Sequence, residues 1–238
     1  CRRYRGRHPK RRTAEVRFYS IELVIDMEPT ENYAVTARRL SPKEDSLDDF
    51  PTPPWATRAL LEHVISKDIT KDQICWEPAA NRGYMSRPLN EYFKYVMESD
   101  IHDYGDRNVV DFLNTEIDRT NSTIHWVITN PPFNKAQQFI EKAQKVAIDG
   151  VAMLTRTSFL EGVMRYQTMF LKNPPDIVAQ FAERVPMVKG RCDPKASTAT
   201  SYCWLIWFID NLPDVDKTTI LTWIPPCRKQ LEREGDYK

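Results

Sequence analysis

Apolar and β-branched residues along this chain gather in short runs broken by Asp-, Asn-, Gly- and Pro-bearing turns. These runs predict strands over residues 74–77, 95–99, 124–128, 151–155, 177–185, 200–209 and 219–224. The central runs are apolar almost throughout rather than alternating, which suits a sheet covered on both faces. Between them the spacing changes to that of helices. Ala56, Leu60, Val64 and Ile65 share one helical face behind Thr52, which could cap, and Pro53 and Pro54, which fit a first turn. A helix is expected over 84–93, with Pro88 tolerable only near its start. Ala136, Phe139, Ile140, Ala143, Val146 and Ala147 form an apolar stripe on another, and a further helix is expected to run to about Leu171. Strands alternating with helices predict an α/β fold.

Several predicted strands end in residues with chemical meaning, and open α/β sheets bind ligands at the carboxyl ends of their strands. The run Ile124-His125-Trp126-Val127-Ile128-Thr129 stops at Asn130-Pro131-Pro132-Phe133, where the prolines cannot continue a ladder. An exocyclic amine on a nucleobase is a poor nucleophile, because its lone pair is delocalised into the ring. The Asn130 side-chain carbonyl and the Pro131 backbone carbonyl could accept both amine hydrogens and localise that pair, while Phe133 stacks on the flipped base. The plain alternative is a strand leading into a proline turn.

Ile74-Cys75-Trp76-Glu77 runs into Pro78-Ala79-Ala80-Asn81-Arg82-Gly83, a strand followed by a tight small-residue turn of the kind that lets backbone approach a nucleotide. Asn81 could supply the left-handed conformation that glycine usually provides. The next strand ends at Asp100, about twenty residues beyond Glu77, a spacing that suits a ribose diol. Asp111-Phe112 pairs an acceptor for an adenine amine with a ring that could stack. Any one of these acids alone reads as a solvated loop residue.

Composition narrows the class without naming a partner. The 238 residues are 41% hydrophobic and 28% charged, with a formal net charge of +1, so a nucleic-acid surface would have to come from local clustering. One cluster is the loop carrying Arg184, Lys189, Arg191 and Lys195, which could contact phosphates or could be a solvated hairpin loop. Another is the dense basic block of residues 1–12, an arm, a tail or sequence upstream of an initiator at Met27; the last two are favoured. The five cysteines (Cys1, Cys75, Cys192, Cys203, Cys227) form no C-x-x-C pair, so zinc or disulfides are not expected and a reducing cytoplasm is. No run has the roughly 18 apolar residues of a membrane span.

Taken together, Pro51-Thr52-Pro53-Pro54-Trp55-Ala56-Thr57, Glu77-Pro78-Ala79-Ala80-Asn81-Arg82-Gly83-Tyr84-Met85, Ser99-Asp100-Ile101, Asp111-Phe112-Leu113, Asn130-Pro131-Pro132-Phe133, Arg156-Thr157-Ser158-Phe159-Leu160-Glu161-Gly162 and the 197–207 stretch resemble the class I S-adenosylmethionine-dependent methyltransferases. More narrowly, they are similar to the phage and prophage-type N6-adenine DNA methyltransferases. The resemblance implies a Rossmann-like, seven-stranded, mostly parallel sheet with an antiparallel strand and helices on both faces. It implies one domain over residues 46–228, between a basic irregular extension and a charged tail at 229–238. S-adenosylmethionine would lie against Glu77, Ala79 and Gly83, with Asp100 on its ribose, Asp111 and Phe112 at its adenine, and Thr52 and Pro53 closing over its methionine end. Asn130, Pro131, Pro132 and Phe133 would hold an adenine of DNA, or of RNA; no metal is needed.

The family usually has glycine where this chain has Asn81, which bears on cofactor affinity. The length leaves no room for a separate recognition domain, so specificity would fall to the 186–199 loop, the hairpin or a partner chain. Three other readings compete. Methylation of a protein glutamine amide also uses Asn-Pro-Pro, though with a Tyr after it and a helical substrate domain. N4-cytosine methylation more often places Ser before Pro-Pro. The last is a catalytically silent nucleic-acid-binding module.

Overall fold

The computed structural model describes residues 48–65, 70–105, 108–209 and 218–238. The expected N-terminal extension and its basic block lie outside these residues. The chain has a Rossmann-like α/β fold. Eight strands form one sheet in the order β3-β2-β1-β4-β5-β7-β6-β8. They are β1 (Ile74–Glu77), β2 (Tyr95–Asp100), β3 (Asn108–Val109), β4 (Trp126–Thr129), β5 (Gly150–Arg156), β6 (Ile177–Phe181), β7 (Tyr202–Phe208) and β8 (Ile220–Ile224). Only β7 is reversed, pairing antiparallel with β5 and β6, while β8 lies parallel to β6.

All seven apolar runs became strands. The eighth, β3, has two exposed residues and pairs parallel with the end of β2. A two-residue exposed strand carries no hydrophobic period, so pattern alone could not reveal it.

The unbroken apolar runs are explained by two cores, one on each face. Trp126, Ile128, Ala152, Leu154, Trp204 and Ile206 point into one, together with Trp55, Ala56, Ala59 and Leu60 of helix α1 (Pro54–His63). The alternate residues Val127, Val151, Met153, Leu205 and Trp207 point into the other, against Phe139, Ile140, Ala143 and Val146 of the long helix Ala136–Val146. This is the period-2 alternation of strands applied to a sheet covered twice. Gly150 is needed where β5 starts: it pairs with Trp126, and a Cβ there would collide with the indole ring.

The helices depart more from expectation. α1 starts on Pro54 with no side-chain cap, and the Thr52 hydroxyl instead meets the Met187 sulfur at 3.8 Å. Proline at the first position removes one of the N–H groups a cap would serve. The helix expected over 84–93 shrinks to α2 (Ser86–Leu89). Pro88 has no N–H to give to an interior turn, so only a first turn forms around it. The long helix is therefore α3. The helix expected to reach Leu171 is α4 (Val163–Arg165), which widens into a π-helical turn at Tyr166–Phe170.

The charged segment after Cys227 folds back on α1 through helix α5 (Arg228–Leu231). Arg58 of α1 is 3% exposed and donates to both carboxylate oxygens of Asp236 at 2.8 Å, to the Leu231 carbonyl at 2.8 Å and to Glu91 at 2.8 Å.

Candidate active site

Four strand ends build one site. Glu77 is the last residue of β1, Asp100 the last of β2, Asp111 follows β3, and Asn130 follows β4. The parallel registers of these strands bring the ends together. They border a cavity of about 260 Å³. Thr52, Glu77, Ala79, Asp100, Asp111, Phe112, Asn130 and Pro132 all line it, whereas Pro53, Gly83, Pro131 and Phe133 do not.

On the cofactor side, the turn after β1 is held by its own backbone. Asn81 has φ +50°, the left-handed conformation expected of it, and its N–H donates to Asp100 at 2.9 Å. The other Asp100 oxygen accepts from the His102 N–H at 2.9 Å. Two backbone donors leave each carboxylate oxygen with further lone-pair capacity, so the 8% exposed Asp100 can still accept from a diol. Glu77, 2% exposed, accepts from the Ser86 hydroxyl. Asp111 accepts from the Leu113 N–H at 3.1 Å and the Asn114 amide at 2.7 Å, capping the 3₁₀ turn that carries Phe112. Phe112 stands edge-on to Trp76 at 5.0 Å and against Phe139 at 5.1 Å, an aromatic wall fixed from behind. Two acids, a flat apolar wall and a small-residue turn fit the ribose, adenine and backbone approach of S-adenosylmethionine.

Sequence reasoning passed over the strap that closes this side. Asp49 accepts from the Asn81 amide, pairs with Arg82 at 3.1 Å and, through its carbonyl, accepts from the Gly190 N–H at 2.8 Å. Tyr104 lines the same wall, and its hydroxyl is pushed up to about 12, first by burial and then by the Asp49 and Asp100 carboxylates. Asp49 and Phe50 precede the proline motif directly, but nothing in their spacing indicates three separate anchors.

At the end of β4, Asn130 is oriented by a backbone carbonyl. Its amide nitrogen donates to the Phe50 carbonyl at 2.9 Å and lies 3.7 Å from the Met187 sulfur. Because a carbonyl can only accept, this contact sets which way the amide faces. The Asn130 Oδ1 is consequently buried without any hydrogen-bond partner. Buried polar atoms are nearly always paired, so an orphan at a cavity rim marks a place for a ligand donor.

Phe133 is positioned differently from the open stacking platform expected of it. Its N–H donates to Asp48 at 2.6 Å, its ring leans on Phe50 at 5.4 Å, and the Arg156 guanidinium covers it at 3.9 Å. The basic loop reaches Thr52 and Asn130 through the Met187 sulfur. Lys189, Arg191 and Lys195 are exposed, with Arg191 partly engaged by Asp193 at 3.3 Å. Arg184 is exposed as well and donates to the Ala199 carbonyl at 2.8 Å and to the Ser201 hydroxyl at 2.5 Å. Among the described residues no helix is long and apolar enough to cross a membrane, and no group of three His, Cys, Asp or Glu side chains could hold a metal.

No protein-family model matches this chain, and no curated protein sequence matches it. Solved structures do, at the level of fold. A candidate RNA methyltransferase from Pyrococcus horikoshii aligns at 16% identity over 65% of this chain and 84% of its own, with a TM-score of 0.48. The tRNA (m1A58) methyltransferase TrmI of Aquifex aeolicus aligns at 12% identity over 66% of this chain and 70% of its own, with a TM-score of 0.43. Magnesium protoporphyrin IX methyltransferase from Synechocystis, with S-adenosylmethionine bound, aligns at 12% identity over 66% of this chain and 79% of its own, with a TM-score of 0.43. The methyltransferases among these neighbours are named for unlike substrates, and the likeness is one of fold.

Proposed function

We propose that this protein transfers a methyl group from S-adenosylmethionine to the N6 amine of adenine in DNA. The observation that carries the reading is the Asn130 side chain: its nitrogen is committed to the Phe50 carbonyl, and its oxygen is buried at the cavity rim with no partner. An acceptor held that way favours an N–H donor of a ligand, and an exocyclic amine is one. When bound, the cofactor supplies the activated methyl group. Asn130 Oδ1 and the Pro131 carbonyl take the two amine hydrogens, drawing the nitrogen lone pair out of the ring and toward the cofactor pocket. Asp100, Asp111 and Phe112 fix the cofactor from the far side of the same cavity. Alignment and preorganised acceptors do the work, with no covalent intermediate. The exposed Lys189, Arg191 and Lys195 beside the pocket supply charge for a phosphate backbone.

The test is tritiated methyl transfer to unmethylated DNA, followed by nucleoside digestion and mass spectrometry. N6-methyladenine that vanishes in Asn130→Ala supports the reading. Label appearing only on RNA, or on a glutamine-bearing protein substrate, moves the activity to that acceptor. Cofactor binding with transfer to none of them defeats it.

A further inference from the structure

Arg156 ends β5, pairing with Tyr202 of β7, one strand along from the β4 end that leads to Asn130. Its guanidinium lies 3.9 Å from the centre of the Phe133 ring and 5.8 Å from that of Phe50. Its side chain also meets the Tyr202 hydroxyl, but its Nε is buried and has no hydrogen-bond partner. A planar guanidinium on an aromatic face is the same stacking contact a nucleobase would make. Phe133, which on the adenine reading should meet the flipped base, thus already carries a flat cation. Arginines normally satisfy their donors in fork-like pairs, so one parked on a ring with Nε unpaired is held short of its preferred partner, a carboxylate or a phosphate.

We propose that Arg156 gates the base pocket. Its guanidinium occupies the stacking face of Phe133 until a flipped adenine displaces it, and it then pairs with a backbone phosphate of the same nucleic-acid strand. This rests on the adenine reading above and adds a specificity role: a base arriving without its phosphate must displace the guanidinium uncompensated. A base arriving on a strand recovers that contact as a charge-assisted pair. The enzyme thereby prefers polymer over free nucleoside by means of one side chain. Arg156 touches the Phe133 ring and not the reacting amine, so it is a positioning residue.

The experiment compares wild type, Arg156→Ala, Arg156→Lys and Asn130→Ala on duplex DNA and on free 2′-deoxyadenosine. In Arg156→Ala the KM for DNA should rise about tenfold, the scale of one desolvated guanidinium contact, while the KM for the nucleoside falls. Arg156→Lys should recover much of the DNA affinity, because the phosphate contact needs a charge and the ring contact a plane. Binding of 2-aminopurine deoxyriboside, followed by its fluorescence, repeats the test without turnover and should be tighter in both Arg156 variants. Losses of equal size on both substrates, or a nucleoside that binds no better without the guanidinium, would overturn the gate. Activity surviving in Asn130→Ala would instead overturn the adenine pocket, whatever Arg156 does.

Discussion

Two buried polar clusters in this protein are finished to different degrees. In the first, Arg58 spends its donors on Asp236, Glu91 and the Leu231 carbonyl, drawing a segment far along the chain onto α1. In the second, Asn130 Oδ1 and Arg156 Nε are buried with no partner. On the proposed function the first cluster serves the fold and the second a ligand. A satisfied buried network rigidifies, whereas orphaned atoms cost stability unless something outside the protein completes them. Sites for substrate are commonly kept at that expense.

Breaking the finished cluster should have the largest effect on stability. Arg58→Ala leaves Asp236 buried without its cation, and loss of one partner of a buried pair costs about 3–5 kcal/mol. Urea denaturation followed by circular dichroism should show that drop. A loss under about 1 kcal/mol would mean that the C-terminal segment docks through other contacts.

The unfinished cluster should respond the other way round. Asn130→Ala should lower methyl transfer by about a hundredfold or more, as for other preorganised groups at a reacting centre. Its stability should change by only about 1 kcal/mol, since the lost bond to Phe50 is offset by removal of the orphan oxygen. Parallel assays of turnover and of thermal unfolding separate the two quantities, and a large fall in both would erase the distinction.

Asp100 belongs to both kinds. It is engaged by two backbone N–H groups yet faces the cavity. Asp100→Ala should weaken S-adenosylhomocysteine about ten- to a hundred-fold by calorimetry, the scale of hydrogen bonds to a charged acceptor. An unchanged affinity would remove it from the cofactor site.

The smallest effect is in acid. Burial raises the Asp236 carboxyl, but hydrogen bonding and charge from Arg58 outweigh it and leave the group below its ordinary value. A depressed folded-state value means that its stabilisation is complete above about pH 4 and is lost as pH falls through the lower value. Stability measured from pH 6 to pH 2 should therefore decline at the acid end, and Asp236→Asn should flatten that decline.

Much of this fold and part of its site were legible in the residues. The central apolar runs became strands because a sheet covered on both faces favours apolar residues at every position, and that requirement is written directly in composition. Asn81 was readable as a left-handed turn residue because few side chains accept that conformation. Glu77, Asp100 and Asn130 were readable because each ends or follows such a run, and Asp111 because it stands beside Phe112. Pro88 already told against a long helix at 84–93, although α2 is shorter than the pattern suggested.

What sequence alone determined, then, was local: which segments are strands, where each stops, and which chemistry stands at its end. The tertiary structure decided which of those groups are left unpaired. Asp49 anchoring Asn81, Asp48 engaging the Phe133 amide, Arg156 covering the Phe133 ring and Arg58 gathering Asp236 all join residues distant in sequence. Their partners are set by the sheet order and by the single reversed strand. No periodicity encodes them, because a hydrogen bond or a stacked cation depends on an approach of a few ångströms, and only the packed sheet fixes distances on that scale.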